Sequence, residues 1–118
     1  MRAASAAAHA QATDGTDGVI SITQAMAREL ARNHVRVNAI CPGTFDTPLA
    51  ERAFTAYAAR EGITVEEMYE SYGRDMIGLG RLGSPDEMGA LCAFLASDDA
   101  SFITGAAINL TGGEQYFF

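Results

Sequence analysis

The stretch VRVNAICPGTFDTP, residues 35–48, decides how the rest of the chain is read. Val35, Val37 and Ala39 alternate with Arg36 and Asn38 at period two, and β-branched side chains favour extended backbone, so the stretch opens as a buried strand. Pro42 stops it, because proline has no N–H to donate and fixes its own φ, and Gly43 lets the backbone come close to something bound there. Thr47 followed by Pro48 has the form of a helix cap and a first helical residue. A helix N-terminus with spare N–H donors therefore follows the strand end within one short turn, a common place for a ligand in α/β folds.

Working outward, residues 17–33 form a helix with Val19, Ile22, Met26 and Leu30 on one face and Ser21, Gln24, Arg28 and Arg32 on the other. Asp17 caps its start, and Asn33 suits a left-handed turn before the strand. A second helix spans 48–60 with Leu49, Ala53, Phe54 and Tyr57, and Gly62 ends it. Thr64 with Glu67 is a capping box for a third, carrying Val65, Met68, Tyr72 and Met76. Ser84, Pro85 and Glu87 repeat the device for a fourth, whose apolar stripe is Met88, Leu91 and Leu95. AAINL, residues 106–110, is a short strand closed by Gly112 and Gly113. Right-handed crossovers make the two strands parallel, with the helices packed on them. Residues 1–16 have no clear period and form a poorly defined segment ahead of the organised portion, residues 17–118.

Composition narrows the function classes. With 118 residues and 48% apolar content the chain is an ordinary globular one. A net charge of −7, with eight arginines and no lysine, argues against a phosphate-backbone partner, so no nucleic acid is expected. No apolar run is long enough to span a membrane, and the alanine-rich start is a poor signal peptide. Cys41 and Cys92 have no metal-ligand spacing and read as reduced, buried thiols of a cytoplasmic protein, with no metal. Asp14 and Asp17 in DGTDG lack the spacing of a calcium loop, and Ser5 with His9 lacks the nucleophile elbow of a hydrolase.

The Pro42-Gly43-x-x-x-Thr47 segment resembles that of the short-chain dehydrogenase/reductase family, whose last-but-one strand ends in such a turn against the nicotinamide of NAD(P). DGVISITQAMARELA upstream is similar to the helix after that family's active-site tyrosine. GRLGSPDEMGALCAFLASDDASFITGAAINLTGG downstream is similar to its C-terminal helix and final strand. The resemblance implies an α/β, partial Rossmann-like (doubly wound) fold of two parallel strands and about four helices. It also implies NAD or NADP as cofactor, with Pro42, Gly43 and Phe45 bordering the nicotinamide and the Thr47 hydroxyl reaching the carboxamide or a phosphate. The stretch after the turn would be a substrate lid carrying Leu49, Phe54, Tyr57, Met68, Tyr72 and Met76. Helical spacing allows those residues to be core instead.

The family's Tyr-x-x-x-Lys pair cannot be present in a chain without lysine. That chemistry needs a phenol whose pKa is lowered by an ammonium. Aligned back from Val19 without a gap, Ala12 takes the tyrosine position and Thr16 the lysine. In a second alignment residues 3–16 resemble the end of the family's central strand, with Ser5 at the substrate-orienting serine, and a piece carrying both Tyr and Lys is absent between Thr16 and Asp17. The first strands and the glycine-rich turn that holds a pyrophosphate are absent as well. Gly78-Leu79-Gly80-Arg81-Leu82-Gly83 satisfies G-x-G-x-x-G literally, but the residues before it have helical period, so it reads as a loop.

Two classes of function follow. One is an oxidoreductase portion carrying the nicotinamide edge, substrate lid and oligomer surfaces, not competent alone. The other is a non-catalytic binding or assembly module of the same ancestry. In either, the strand at 35–40 has an edge that invites a covering N-terminal segment, a partner subunit or aggregation. A homo-oligomer or a complementing chain is the expected partner, with a small molecule as the possible substrate.

Overall fold

The computed structural model describes residues 2–7 and 15–114, with side chains from Asp17 onward. Strand β1 runs Arg2–Ala7, helix α1 Gly15–Leu30 and strand β2 Val35–Pro42. Helices α2 (Pro48–Glu61), α3 (Val65–Met76) and α4 (Pro85–Ala96) follow, and strand β3 (Ala107–Leu110) comes last. The two expected strands are parallel neighbours, Ala39 facing Ala107 and Pro42 facing Leu110. A third strand joins them: β1 pairs with β2 in parallel from Arg2↔Val35 to Ala7↔Ile40, in the order β1-β2-β3. The exposed edge expected of β2 is thus covered by the chain's own N-terminal segment. By period residues 2–7 show nothing, because alanine and serine are too alike in size to mark one face from the other; the strand is suggested only by the resemblance of residues 3–16 to the end of the family's central strand.

The chain forms two compact units. The first contains the sheet, α1 and the chain from Asp86 to Leu110. Its core is Ile40, Leu95 and Ala100, with Met88, Leu91 and Ile108 packed against them, so the stripe read from α4 is the one buried. The period-two pattern of β2 does not separate a wet face from a dry one. Arg36 and Asn38 are as buried as Val37 and Ala39, as befits a parallel strand covered on both faces. Asn38 donates from Nδ2 to the Ile103 carbonyl (3.0 Å) and accepts at Oδ1 from the Ala106 N–H (3.0 Å). The Arg36 guanidinium donates to the Ile103 and Ser97 carbonyls. Ser97 follows the last turn of α4, where a cation suits the helix dipole.

Two expectations for α1 are corrected. Ile22 and Met26 are exposed, and the residues buried on that helix are Thr23 and Ala27. Small side chains there let α1 lie close to its neighbours; the position a Cβ would occupy at Gly105 is only 3.4 Å from the Ala27 methyl. The left-handed residue before β2 is His34 (φ 57°), one place beyond Asn33, because a 3-10 turn over Ala31–Asn33 extends the helix first.

The second unit contains Gly43–Pro85 and, among the described residues that follow β3, residues 111–114. Its two helices α2 and α3 pack through Phe54, whose ring meets Tyr69 edge-on (centroids 4.8 Å apart) and lies 5.0 Å from Tyr72. Gly62 ends α2 at φ 69°, and both hydrogen bonds of the Thr64–Glu67 capping box are formed. Among the described residues no helix is long and apolar enough to cross a membrane.

Candidate functional site

Pro42 is the last residue of β2, and Gly43 opens the turn to α2. Thr47 sits in extended backbone and caps α2, its Oγ1 accepting from the Ala50 N–H (3.3 Å), with Pro48 in the first turn. A hydroxyl that accepts keeps its proton, so Thr47 can still donate. Between them, the turn is held to Gly83 by two backbone bonds, Asp46 N–H to the Gly83 carbonyl (2.8 Å) and Gly83 N–H to the Thr44 carbonyl (3.0 Å). The half-buried Phe45 ring lies over Gly83, where a Cβ would fall 2.6 Å from its Cε1. The literal G-x-G-x-x-G therefore ends in a glycine that makes room for an aromatic ring, and no strand leads into it.

The other anchor of the turn is one that sequence reasoning missed. Glu114, only 1% exposed, accepts at Oε2 from the Thr44 N–H (2.6 Å) and at Oε1 from the hydroxyls of Thr44 (2.8 Å) and Tyr72 (2.6 Å). Three donors on one carboxylate is the pattern that makes burial of an anion tolerable. Nothing in the residues around position 114 announces it, since its partner Thr44 lies 70 positions away.

The six residues read as a lid occupy different environments. Leu49 and Tyr57 are exposed, Met68, Tyr72 and Met76 are half-buried, and Phe54 is core to the α2–α3 pair. An open concavity of about 480 Å³ lies beside the turn, lined by Asp46, Tyr69, Glu70, Arg81 and Ser84 among others. Within it the Tyr69 hydroxyl donates to Asp46 Oδ1 (3.3 Å). Burial first, and the Asp46 carboxylate second, push the Tyr69 phenol above its ordinary pKa. An Asp46→Asn variant should titrate Tyr69 at lower pH than the parent while leaving it above a free tyrosine, because burial stays. Phenolate absorbance followed against pH reads this directly, and an unchanged midpoint would show that Asp46 does not act on Tyr69.

Chemically, the tyrosine hydroxyls on α3 each donate a hydrogen bond to a carboxylate, Tyr69 to Asp46 and Tyr72 to Glu114. No ammonium side chain exists in the chain to favour a phenolate. Among the described residues no group of His, Cys, Asp and Glu could hold a metal. Cys41 is buried, which raises its pKa, and Cys92 is half-buried; both are free thiols. Ser5 lies on β1 opposite Asn38, its side chain outside the described residues, as is all of His9. The turn itself offers a flat aromatic ring, a hydroxyl proton and a backbone fixed from two sides.

Comparison with known proteins gives a family. Residues 12–115 match the family described as enoyl-(acyl carrier protein) reductase. D-beta-hydroxybutyrate dehydrogenase of Cupriavidus necator is 40% identical over 96 residues, 81% of this chain and 37% of that protein. A short-chain dehydrogenase family protein from Francisella tularensis superposes with a TM-score of 0.82 at 30% identity, over 93% of this chain and 50% of that one. A variant of actinorhodin polyketide ketoreductase, solved with NADPH, gives 0.79 at 27% identity, over 98% and 48%. The chain spans between 32% and 37% of the length of the curated relatives it matches.

Proposed function

This chain belongs to the short-chain dehydrogenase/reductase family, and from that premise we propose that it forms the nicotinamide edge and substrate lid of an NAD(P)-dependent oxidoreductase. The observation that carries the proposal is the preset turn. Gly83 and Glu114 hold Thr44–Asp46 in place, and Thr47 is fixed as a cap with its proton still available. The bound dinucleotide would supply the hydride. Thr47 would donate to the carboxamide, while Pro42, Gly43 and Phe45 would border the ring. Leu49, Tyr57, Met68 and Met76, exposed or half-buried, are free to meet a small-molecule substrate. The family's proton transfer would have to come from a complementing chain or further polypeptide, because without lysine none of this chain's phenols has the ammonium partner that chemistry needs. Whether the nucleotide is NAD or NADP is decided in the family by a residue near the ribose.

A second proposal, a non-catalytic assembly module, is favoured by the same lack of a proton relay and by apolar surface. Ile22 (61%), Met26 (42%) and Phe102 (101%) are exposed, a composition suited to self-association.

Calorimetric titration with NADH and NADPH, followed by a carbonyl-reduction assay, tests both. Binding without turnover supports the first; no binding by a self-associated chain supports the second. Thr47→Val should weaken binding by about 1 kcal/mol, one neutral hydrogen bond. Unchanged affinity would remove Thr47 from the site, and turnover by the chain alone would overturn the argument from missing chemistry.

A further inference from the structure

Glu114 follows two glycines in left-handed backbone, Gly112 (φ 62°) and Gly113 (φ 78°), which turn the chain sharply after β3. Their carbonyls accept from Leu79 (2.9 Å) and Gly78 (3.2 Å), and Glu114 itself bridges to Ile77. Its backbone is therefore pinned at the end of α3. Its carboxylate reaches Tyr72 within α3 and Thr44 in the turn, and Thr44 Oγ1 lies 3.2 Å from the Tyr72 hydroxyl.

An apolar side chain would fill this space at lower desolvation cost, since a buried charge contributes little to stability over a well-packed apolar group. What the carboxylate adds is a tie between two segments at once. We propose that Glu114 is a positioning residue that couples helix α3, through Tyr72, to the turn carrying Phe45 and Thr47, so that a displacement of α3 is felt at Thr44. The benefit of this coupling to a dinucleotide rests on the function proposed above; the coupling itself does not.

Glutamine should preserve it. The amide oxygen can accept from the Thr44 N–H, and the NH2 can donate to the two hydroxyls, which turn to accept. Alanine breaks every tie. Tyr72→Phe keeps the ring and removes a hydroxyl that bonds Glu114 and Thr44 Oγ1 but not the Thr44 N–H, so its effect at Thr44 should come through those two partners.

Amide hydrogen exchange on the full chain reads the coupling, with the Val37 N–H, bonded to Thr104 in the other unit, as reference. Glu114→Ala should speed exchange at Thr44 about tenfold or more, the loss of one bond to a charged acceptor, and Tyr72→Phe by about threefold or more. Glu114→Gln should stay close to the parent, with Val37 unchanged throughout. Thr44 exchange insensitive to Tyr72→Phe, or changes at Thr44 and Val37 in parallel, would overturn the proposal. NADH titration of the same variants separates the two claims. Weaker binding in Glu114→Ala restored in Glu114→Gln supports positioning, whereas equal binding by all three refutes it. A parent chain that binds neither NADH nor NADPH sinks the nicotinamide-edge function and leaves the exchange rates to decide the coupling.

Discussion

Gly43→Val is expected to destabilise the protein by about 3 kcal/mol, the upper part of the range for forcing extra carbons into a packed site. The reason is space, for Gly43 is not among the glycines in left-handed backbone. Its Cβ would fall against the Glu114 carboxylate, 2.9 Å from Thr111 Cα and 3.1 Å from Thr111 Cβ. Thr111 presents backbone, which cannot swing aside. Glu114 could, but only by giving up bonds to Thr44 and Tyr72 in a place closed to water. Urea unfolding should show the loss, and dinucleotide binding should fall with it, because the turn cannot keep its shape. Gly89 is the control. It lies within α4, and a methyl group added there would meet nothing within 4 Å, so Gly89→Ala should be stabilising by about 0.5–1 kcal/mol through helix propensity. Equal stability of the parent and Gly43→Val would mean that the turn is not packed against Thr111 and Glu114.

What was legible in the chain was local. Thr47-Pro48 and Thr64-x-x-Glu67 form their caps because the donor and acceptor lie within one helical turn of each other, and Gly62 ends α2 for the same kind of reason. The stripe Met88, Leu91 and Leu95 was legible because its neighbours are apolar too. Hydropathy failed at α1, where closeness decides: Thr23 and Ala27 are buried since they are small, and the greasier Ile22 and Met26 stay outside. At β2 it failed for the opposite reason. Arg36 and Asn38 look like a wet face, yet backbone groups from residues 97–106 pair the Asn38 amide and the two terminal nitrogens of Arg36, leaving only Arg36 Nε buried without a hydrogen bond.

The site divides along the same line. The turn Pro42–Thr47 could be read as a turn and cap from its own residues, but what holds it could not. Gly83 reads as part of a flexible loop, and its use is visible only with Phe45 laid over it. Glu114 carries no signal of its own in the sequence. Burying it depends on Thr44 and Tyr72, 70 and 42 positions away, and no periodicity links such positions. Likewise Phe54 shares the helical spacing of a lid residue, and only its contact with Tyr69 and Tyr72 marks it as core.

Asn38→Leu carries the second large expected effect, a loss of about 2–3 kcal/mol. Leucine keeps the volume, so the cost measures hydrogen bonding rather than a cavity. The Ala106 N–H, on a half-buried residue, loses its acceptor, and an unmet buried donor costs about 1–3 kcal/mol. The Ile103 carbonyl loses the shorter of its two side-chain donors and keeps Arg36 Nη1 at 3.3 Å, so its share is small. Adjacent bonds bear on the same segment: Gly105 N–H to the Val37 carbonyl (2.7 Å) and Ala39 N–H to the Ala106 carbonyl (2.8 Å). Together they fix the chain entering β3, so losing Asn38 should also loosen the register Ala39↔Ala107. Amide exchange at Ala106 and Ile108 should rise more than the global loss accounts for, with exchange in α2 and α3 following only the global change. An Asn38→Leu protein as stable as its parent would show that these buried groups find water or other partners, and the account of β2 as a strand dry on both faces would fall with it.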